Sequence, residues 1–180
     1  MASIPTINSL QLDRWIKAVS RGDIHALEQI YQTTRAAVYA YAMSILKNPY
    51  DADDVMQDCY VSIRLYASQY RSVDKPMAWI MTIVRNQCVS LLRRQRRYIS
   101  ADAELFSESR IPDPEERMLL KDCLKQLSTE EQQIVILHAV AGMTYNETAR
   151  YMKLKIGTVL SKYHRAIRKL KRYYGEEDES

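Results

Sequence analysis

Turn formers are scarce in this 180-residue chain, which has four glycines and five prolines. With no continuous Val/Ile/Thr runs either, a fold of many short strands is excluded and an all-helical one is expected. Cysteine is nearly as rare. Cys59, Cys88 and Cys123 are odd in number, far apart and without a C-x-x-C pair, so neither a disulfide framework nor a zinc motif is available. Each sits among apolar helical residues and reads as a buried, reduced thiol. His25, His138 and His164 lack ligand spacing, so no metal and no cofactor is expected. There is no glycine loop to cradle a phosphate and no Ser/His/Asp or Cys/His arrangement, so an enzyme is not expected. No apolar run approaches the roughly 18 residues of a membrane span, and the N-terminus has neither the basic flank nor the apolar stretch of a signal peptide. The expectation is a cytoplasmic protein with no membrane insertion.

What the chain does have is charge, unevenly placed. Residues 1–97 carry 13 basic and 8 acidic side chains, residues 98–116 carry 1 and 6, and residues 117–180 carry 12 and 8. Two basic blocks flank an acidic connector, a distribution that fits two separate nucleic-acid footprints better than one broad patch.

The second block is the more telling. Residues 153–172 hold eight Lys or Arg and no acid. At about 100° per residue, Val159, Tyr163, Ala166, Ile167 and Leu170 share one side of a helix, with Thr158, Ser161, Lys162, Arg165, Arg168 and Lys169 on the other. Leu160 falls beside Ile167, on the packing edge. A basic amphipathic helix alone suits a membrane surface or a partner protein equally well. Just upstream, however, Thr144 and Glu147 form a T-x-x-E capping box after Gly142, so a short helix is predicted from Tyr145 and the next from near Gly157. Two helices joined by a tight turn are the layout of a helix-turn-helix, whose second helix enters the major groove.

In the first block, apolar residues recur at helical spacing: Leu12, Trp15, Ile16 and Val19, then Leu27, Ile30, Tyr31, Val38, Tyr41, Ala42 and Ile45. Asp23 is placed to cap the second of these helices. After Asn48-Pro49 a further helix opens on acids, and Asp54, Gln57, Asp58 and Val61 follow i, i+3, i+4, i+7 spacing. That polar cluster is either a solvated face or a docking surface for a basic helical partner. Pro76 suits the first turn of another helix, one that ends in Arg93-Arg94-Gln95-Arg96-Arg97, and residues 75–101 contain no acid. Cations beside Tyr66, Tyr70 and Trp79 are the composition that grips an opened strand, although a tryptophan placed like Trp79 is more often a core residue than a stacking platform.

Residues 98–114, rich in Ser, Asp, Glu and Pro, read as a flexible linker. Their 17 residues reach at most roughly 56 to 61 Å. The expected organisation is therefore two small helical domains, 12–97 and 115–174, joined by a linker at 98–114. A frayed leader is expected before the first, and an acidic tail at 176–179 after the second. Ser128 and Glu131 form another capping box, opening a helix that carries Ile134, Val135, Leu137 and Val140.

Four stretches in order resemble the extracytoplasmic-function group of bacterial sigma-70 factors. Ala52-Asp-Asp-Val-Met-Gln-Asp-Cys-Tyr60 is similar to A-E-D-L-V-Q-D-x-F, and Pro76-Met-Ala-Trp-Ile-Met-Thr-Ile-Val-Arg-Asn86 to P-x-A-W-L-x-x-I-A-R-N. Leu127-Ser-Thr-Glu-Glu-Gln-Gln and Gly157-Thr-Val-Leu-Ser-Lys-Tyr-His-Arg-Ala166 resemble L-P-x-x-x-R-x and G-T-V-K-S-R-L-H-R-A. The resemblance implies sigma domains 2 and 4, with core RNA polymerase and promoter DNA as partners and an anti-sigma factor as a regulator. It implies that Asp54, Gln57 and Asp58 dock on the clamp coiled coil of the largest polymerase subunit. Tyr70, Arg71, Arg85, Asn86, Arg93 and Arg94 would hold the melted −10 element; Thr158, Ser161, Lys162 and Arg165, with Arg168 and Lys169 on the same face, would meet the −35 element. The linker would thread through the polymerase. This chain departs from the pattern at Leu160 and Lys162, where a cation and Arg are usual, at Arg64 and Ser90, and at Lys153, near the usual turn glycine. The competing reading is a helix-turn-helix regulator that acts without polymerase, its N-terminal half serving as a sensor or dimerisation domain.

Overall fold

The computed structural model describes residues 7–71, 75–98 and 125–174, except for the side chains of Tyr98 and Tyr174. The expected linker, Cys123, the helical pattern before residue 125 and the acidic tail lie outside these residues. The chain divides into two compact units, Met1–Ile111 and Pro112–Ser180. Every described element is helical.

The first unit holds α1 (Ser9–Val19), α2 (Ile24–Leu46), α3 (Pro49–Tyr66), a 3-10 turn at Ala67–Gln69, and α4 (Pro76–Tyr98). Local chemistry sets the helix starts. Asn8, Asp23 and Asn48 each accept a backbone N–H from the first turn they cap, and Pro49 occupies the start of α3, where a missing N–H costs nothing. α2 ends at Lys47, which turns left-handed at φ 59°. α2 is the centre of the unit and packs against α1, α3 and α4. Its residues 37–44 are buried without a break, as a helix covered on all sides must be. Leu12, Ile16, Ile30, Val38, Ile63, Ile80 and Val84 are fully enclosed. Each removes about 1.5 to 3 kcal/mol worth of apolar surface from water.

A buried polar pair links α2 to α3 in this core, while Gln87 Oε1 on α4 is buried without a partner among the described residues. Thr34 donates to the Ile30 carbonyl at 2.7 Å and meets the Tyr60 hydroxyl at 3.0 Å. Cys59 and Cys88 are buried free thiols. Burial pushes both up to about 12, so neither holds a reactive thiolate near neutral pH.

The second unit holds α5 (Thr129–Val135), a π turn (Ile136–Val140), α6 (Tyr145–Met152) and α7 (Ile156–Tyr174). Ser128 with Glu131, and Thr144 with Glu147, form complete capping boxes. The apolar pattern from Ile134 to Val140 reads as one continuous helix, yet its last five residues widen into a π turn, with the Ala141 N–H reaching the Ile136 carbonyl at 2.8 Å. Ile134, Ala149 and Val159 form a core cluster, flanked by Tyr145, Met152, Leu154 and Tyr163.

Candidate nucleic-acid interface

α6 and α7 join through Lys153, left-handed at φ 58°, with the Leu154 N–H bonded to the Ala149 carbonyl at 2.9 Å. Glycine adopts this geometry without strain; a lysine reaches it at some cost. α7 then buries Val159 and Ala166, and half-buries Tyr163, Ile167 and Leu170. His138 lies under this edge, stacked on Tyr145 at 3.9 Å and edge-on to Tyr163 at 4.9 Å.

The six polar residues expected on the far side of α7 do not behave alike. Ser161, Arg165 and Arg168 are exposed, and Thr158 is half-buried. Lys162 pairs with Glu130 at 3.0 Å, and Lys169 bonds both carboxylate oxygens of the buried Glu131 at 2.8 Å. The wheel explains the division: Lys162 and Lys169 sit at the margin next to Ala166, where α5 presents two acids. Burial pushes the Glu131 carboxyl up, but bonds from Lys169 and Ser128 outweigh it and hold it below the usual glutamate value. The outward face is thus Ser161, Arg165 and Arg168, with exposed Arg172 in the same register. Arg172 was readable from that spacing. Gly157 is exposed at the start of α7, and a Cβ built there would meet nothing within 4 Å.

On α4 the buried side is Met77, Ile80, Met81, Val84 and Cys88. Arg85, Asn86, Arg93 and Arg94 are all exposed, as is Thr82. Asn86, Arg93 and Arg97 share one stripe with Thr82, whereas Arg94 points about 100° away from Arg93. The cationic end of α4 is held to the start of α3 by Gln95, whose Nε2 donates to Asp51 Oδ2 at 2.9 Å, and farther back by Gln87 donating to Ser62 Oγ at 2.9 Å.

Tyr70 and Trp79 do not form an open aromatic platform. Their rings pack on each other, tilted by 57° with centroids 5.1 Å apart, and the Tyr70 hydroxyl donates to Asp13 Oδ1 at 2.9 Å. Tyr66 and Arg71 are exposed.

A third face lies on α3. Asp54, Gln57 and Asp58 are exposed in one stripe. Apolar side chains share it: Tyr50 is 53% exposed, Val61 58% and Leu65 64%. Tyr50 and Leu65 escaped the sequence reading because an apolar residue in a helix is taken for core until its surroundings are known. The Asp54 carboxyl is raised by partial burial and then by the charges of Asp51, Asp58 and Asp53. Among the described residues, no helix is long and apolar enough to cross a membrane.

The family description "Sigma-70 region 2" matches residues 30–98 and "Sigma-70, region 4" matches residues 117–170. The ECF RNA polymerase sigma factor SigK of Mycobacterium bovis (strain BCG / Pasteur 1173P2) is 26% identical over 183 residues, covering 95% of this chain and 97% of the relative. Among solved structures, the sigma factor RpoE in complex with the anti-sigma factor NepR from Bartonella quintana is 25% identical, covers 82% of this chain and 96% of that one, and superposes with a TM-score of 0.62. CnrH in complex with the cytosolic domain of CnrY shares the fold, with a TM-score of 0.59 at 24% identity over 93% of this chain and 99% of that one. The two matched regions stand in order and together take in more than half of the residues. The chain belongs to the sigma-70 family, whose members work with RNA polymerase in promoter-specific transcription initiation, and within it to the extracytoplasmic-function group.

Proposed function

We propose that this protein has no chemistry of its own and lends promoter recognition to core RNA polymerase. Residues 12–97 dock on the polymerase and hold the −10 element, residues 98–114 link, and residues 115–174 bind the −35 element. In the first domain, Asp54, Gln57 and Asp58 form the polar part of a docking stripe for the clamp coiled coil. Arg71 and the α4 residues Arg85, Asn86 and Arg93 follow the opened −10 strand, with Arg94 reaching it from the side. In the second domain, Ser161, Arg165 and Arg168 enter the major groove, and Thr158 lies at its edge. Lys162 and Lys169 brace α7 against α5. The observation that carries this reading is that each matched region exposes arginines on one side of a helix whose other side is packed into that region's core.

Two solved relatives are bound to other proteins, and one of these is named an anti-sigma factor. We propose a partner of that kind for this chain too, acting in the cytoplasm. Transcription with purified core polymerase on a genomic fragment library tests the whole reading. Promoter-dependent initiation supports it; DNA binding without initiation favours a regulator that works alone.

Two outcomes are expected at α7. Arg165→Ala should weaken −35 binding by about 1 to 3 kcal/mol if the guanidinium reads a base, and mainly reduce the salt slope if it holds a phosphate. Binding titrations at several salt concentrations separate the two, and no change in either would make the face merely solvated. Gly157→Ala should leave the thermal midpoint unchanged or raise it, by roughly 0.5 kcal/mol in stability, since the protein leaves room for the methyl group. The same change should lower −35 affinity severalfold if DNA backbone approaches there. Unaltered affinity would show that nothing comes close to Gly157.

A further inference from the structure

Asp13 is a carboxylate where α1 would otherwise carry an apolar residue. It lies beside Leu12 on the packed side of the helix and is 9% exposed. Burying a carboxylate is costly unless it is bonded on arrival, and the bonds that hold this one include Lys17 Nζ on Oδ2 at 2.7 Å and the Tyr70 hydroxyl on Oδ1 at 2.9 Å. The second bond joins residues 57 positions apart. It meets the chain where α3 has ended: the Ala67–Gln69 turn closes with the Tyr70 N–H on the Ala67 carbonyl at 3.2 Å, and Tyr70 is extended, with ψ 127°. Arg71 follows, exposed. Trp79, in the first turns of α4, supports the Tyr70 ring from another side.

We infer that Asp13 is a positioning residue for promoter recognition: by holding the Tyr70 hydroxyl it sets the direction in which the chain presents Arg71 to the opened −10 strand. The inference rests on the proposed role of Arg71. A charge-assisted O–H···O bond is stronger and more directional than the ring packing beside it. Tyr70→Phe therefore separates the two contributions, because the ring stays on Trp79 while the tether is lost.

The test uses the full chain with core polymerase and a promoter recovered from the genomic library, varied one base at a time across its −10 element. Transcript yield on the native sequence over that on each variant gives the discrimination. Tyr70→Phe and Asp13→Ala are each expected to reduce it about fivefold, on the order of one lost hydrogen bond. Asp13→Asn, which can still accept from the hydroxyl, should retain most of it. The double change Tyr70→Phe with Asp13→Ala should be no worse than either single one, as two ends of one bond require. Full discrimination by Tyr70→Phe, with Arg71→Ala losing it, overturns the inference and leaves the role of Arg71 standing. If neither change matters, the role of Arg71 fails and the inference with it. A loss of yield equal on every −10 sequence and matched by a lower thermal midpoint would make the tether purely structural, and would also overturn it.

Discussion

Replacing Asp58 by Lys is expected to weaken binding of core RNA polymerase by about 2 kcal/mol or more, roughly thirtyfold in Kd, without unfolding the protein. Asp58 is exposed on α3, within a helical turn of Asp54 and Gln57 and next to the exposed Val61. The stripe combines what a docking surface needs. Apolar groups such as Val61 and Leu65 gain from leaving water, and acids beside them select a basic partner. In the free chain this arrangement carries a cost. After partial burial, the neighbouring acids Asp51, Asp58 and Asp53 are what hold the Asp54 carboxyl above its usual value. An acid raised in this way favours the folded state when protonated and loses part of that advantage as pH rises through its titration. Asp58→Lys relieves the crowding, so the thermal midpoint near neutral pH should stay the same or rise while affinity for core falls. Opposite signs in the two measurements would distinguish a surface kept for a partner from one kept for the fold. The wild-type affinity should also decline with added salt more steeply than that of Asp58→Lys. Equal affinity of the two proteins for core at low salt would remove Asp58 from the docking surface.

What could be read ahead of the structure shares one property: it depends on neighbours along the chain. The capping boxes at Ser128/Glu131 and Thr144/Glu147 are bonds between residues three apart, so spacing alone reveals them. The buried faces of α1 and α7 follow from the 3.6-residue period, which needs no partner to be known. The four family-like stretches put these elements in order. What escaped depends on which helices meet. The bond from Lys169 to Glu131 on α5 joins residues 38 positions apart, so the wheel alone does not reveal it. The Tyr70 hydroxyl finds Asp13 on α1, 57 positions away, which spacing does not reveal either. Thr34 gives no apolar signal, yet it is fully buried because Tyr60 satisfies it from α3. The π turn at Ile136–Val140 is hidden for another reason, since widening the helix changes its backbone bonding without disturbing the apolar pattern that announces it.

Glu131→Ala is expected to destabilise the second unit by about 2 to 3 kcal/mol, since a single carboxylate there does two jobs. It completes the capping box by accepting the Ser128 N–H at 2.9 Å, worth about 1 kcal/mol. It also holds Lys169 Nζ through both oxygens at 2.8 Å, Glu131 being 5% and Lys169 43% exposed, so the half-buried pair is screened less than one wholly on the surface. In a unit of this size each kcal/mol moves the midpoint by about 4 to 8 °C, so a fall of roughly 10 to 20 °C follows. Both tryptophans, Trp15 and Trp79, lie in the first unit. A melt followed by tryptophan fluorescence should therefore stay where it is while the helical signal of the second unit disappears early. Glu131→Gln, which still reaches the Ser128 N–H, should lose only the ion-pair share. The acid is held below the ordinary glutamate value, near 4.3. Its contribution is then whole above that value and is lost as pH falls through the depressed one, so wild type and Glu131→Ala should converge in acid. Midpoints that coincide at neutral pH would rule out the pair as a brace. A gap that persists unchanged in acid would mean that packing, and not the charge, is what Glu131 provides. The functional consequence follows from where Lys169 sits. Glu131 and Glu130 hold α7 along the side next to its core edge, leaving Arg165 and Arg168 turned outward. On the proposed reading, the acids of α5 would orient the cations that α7 presents to the −35 element.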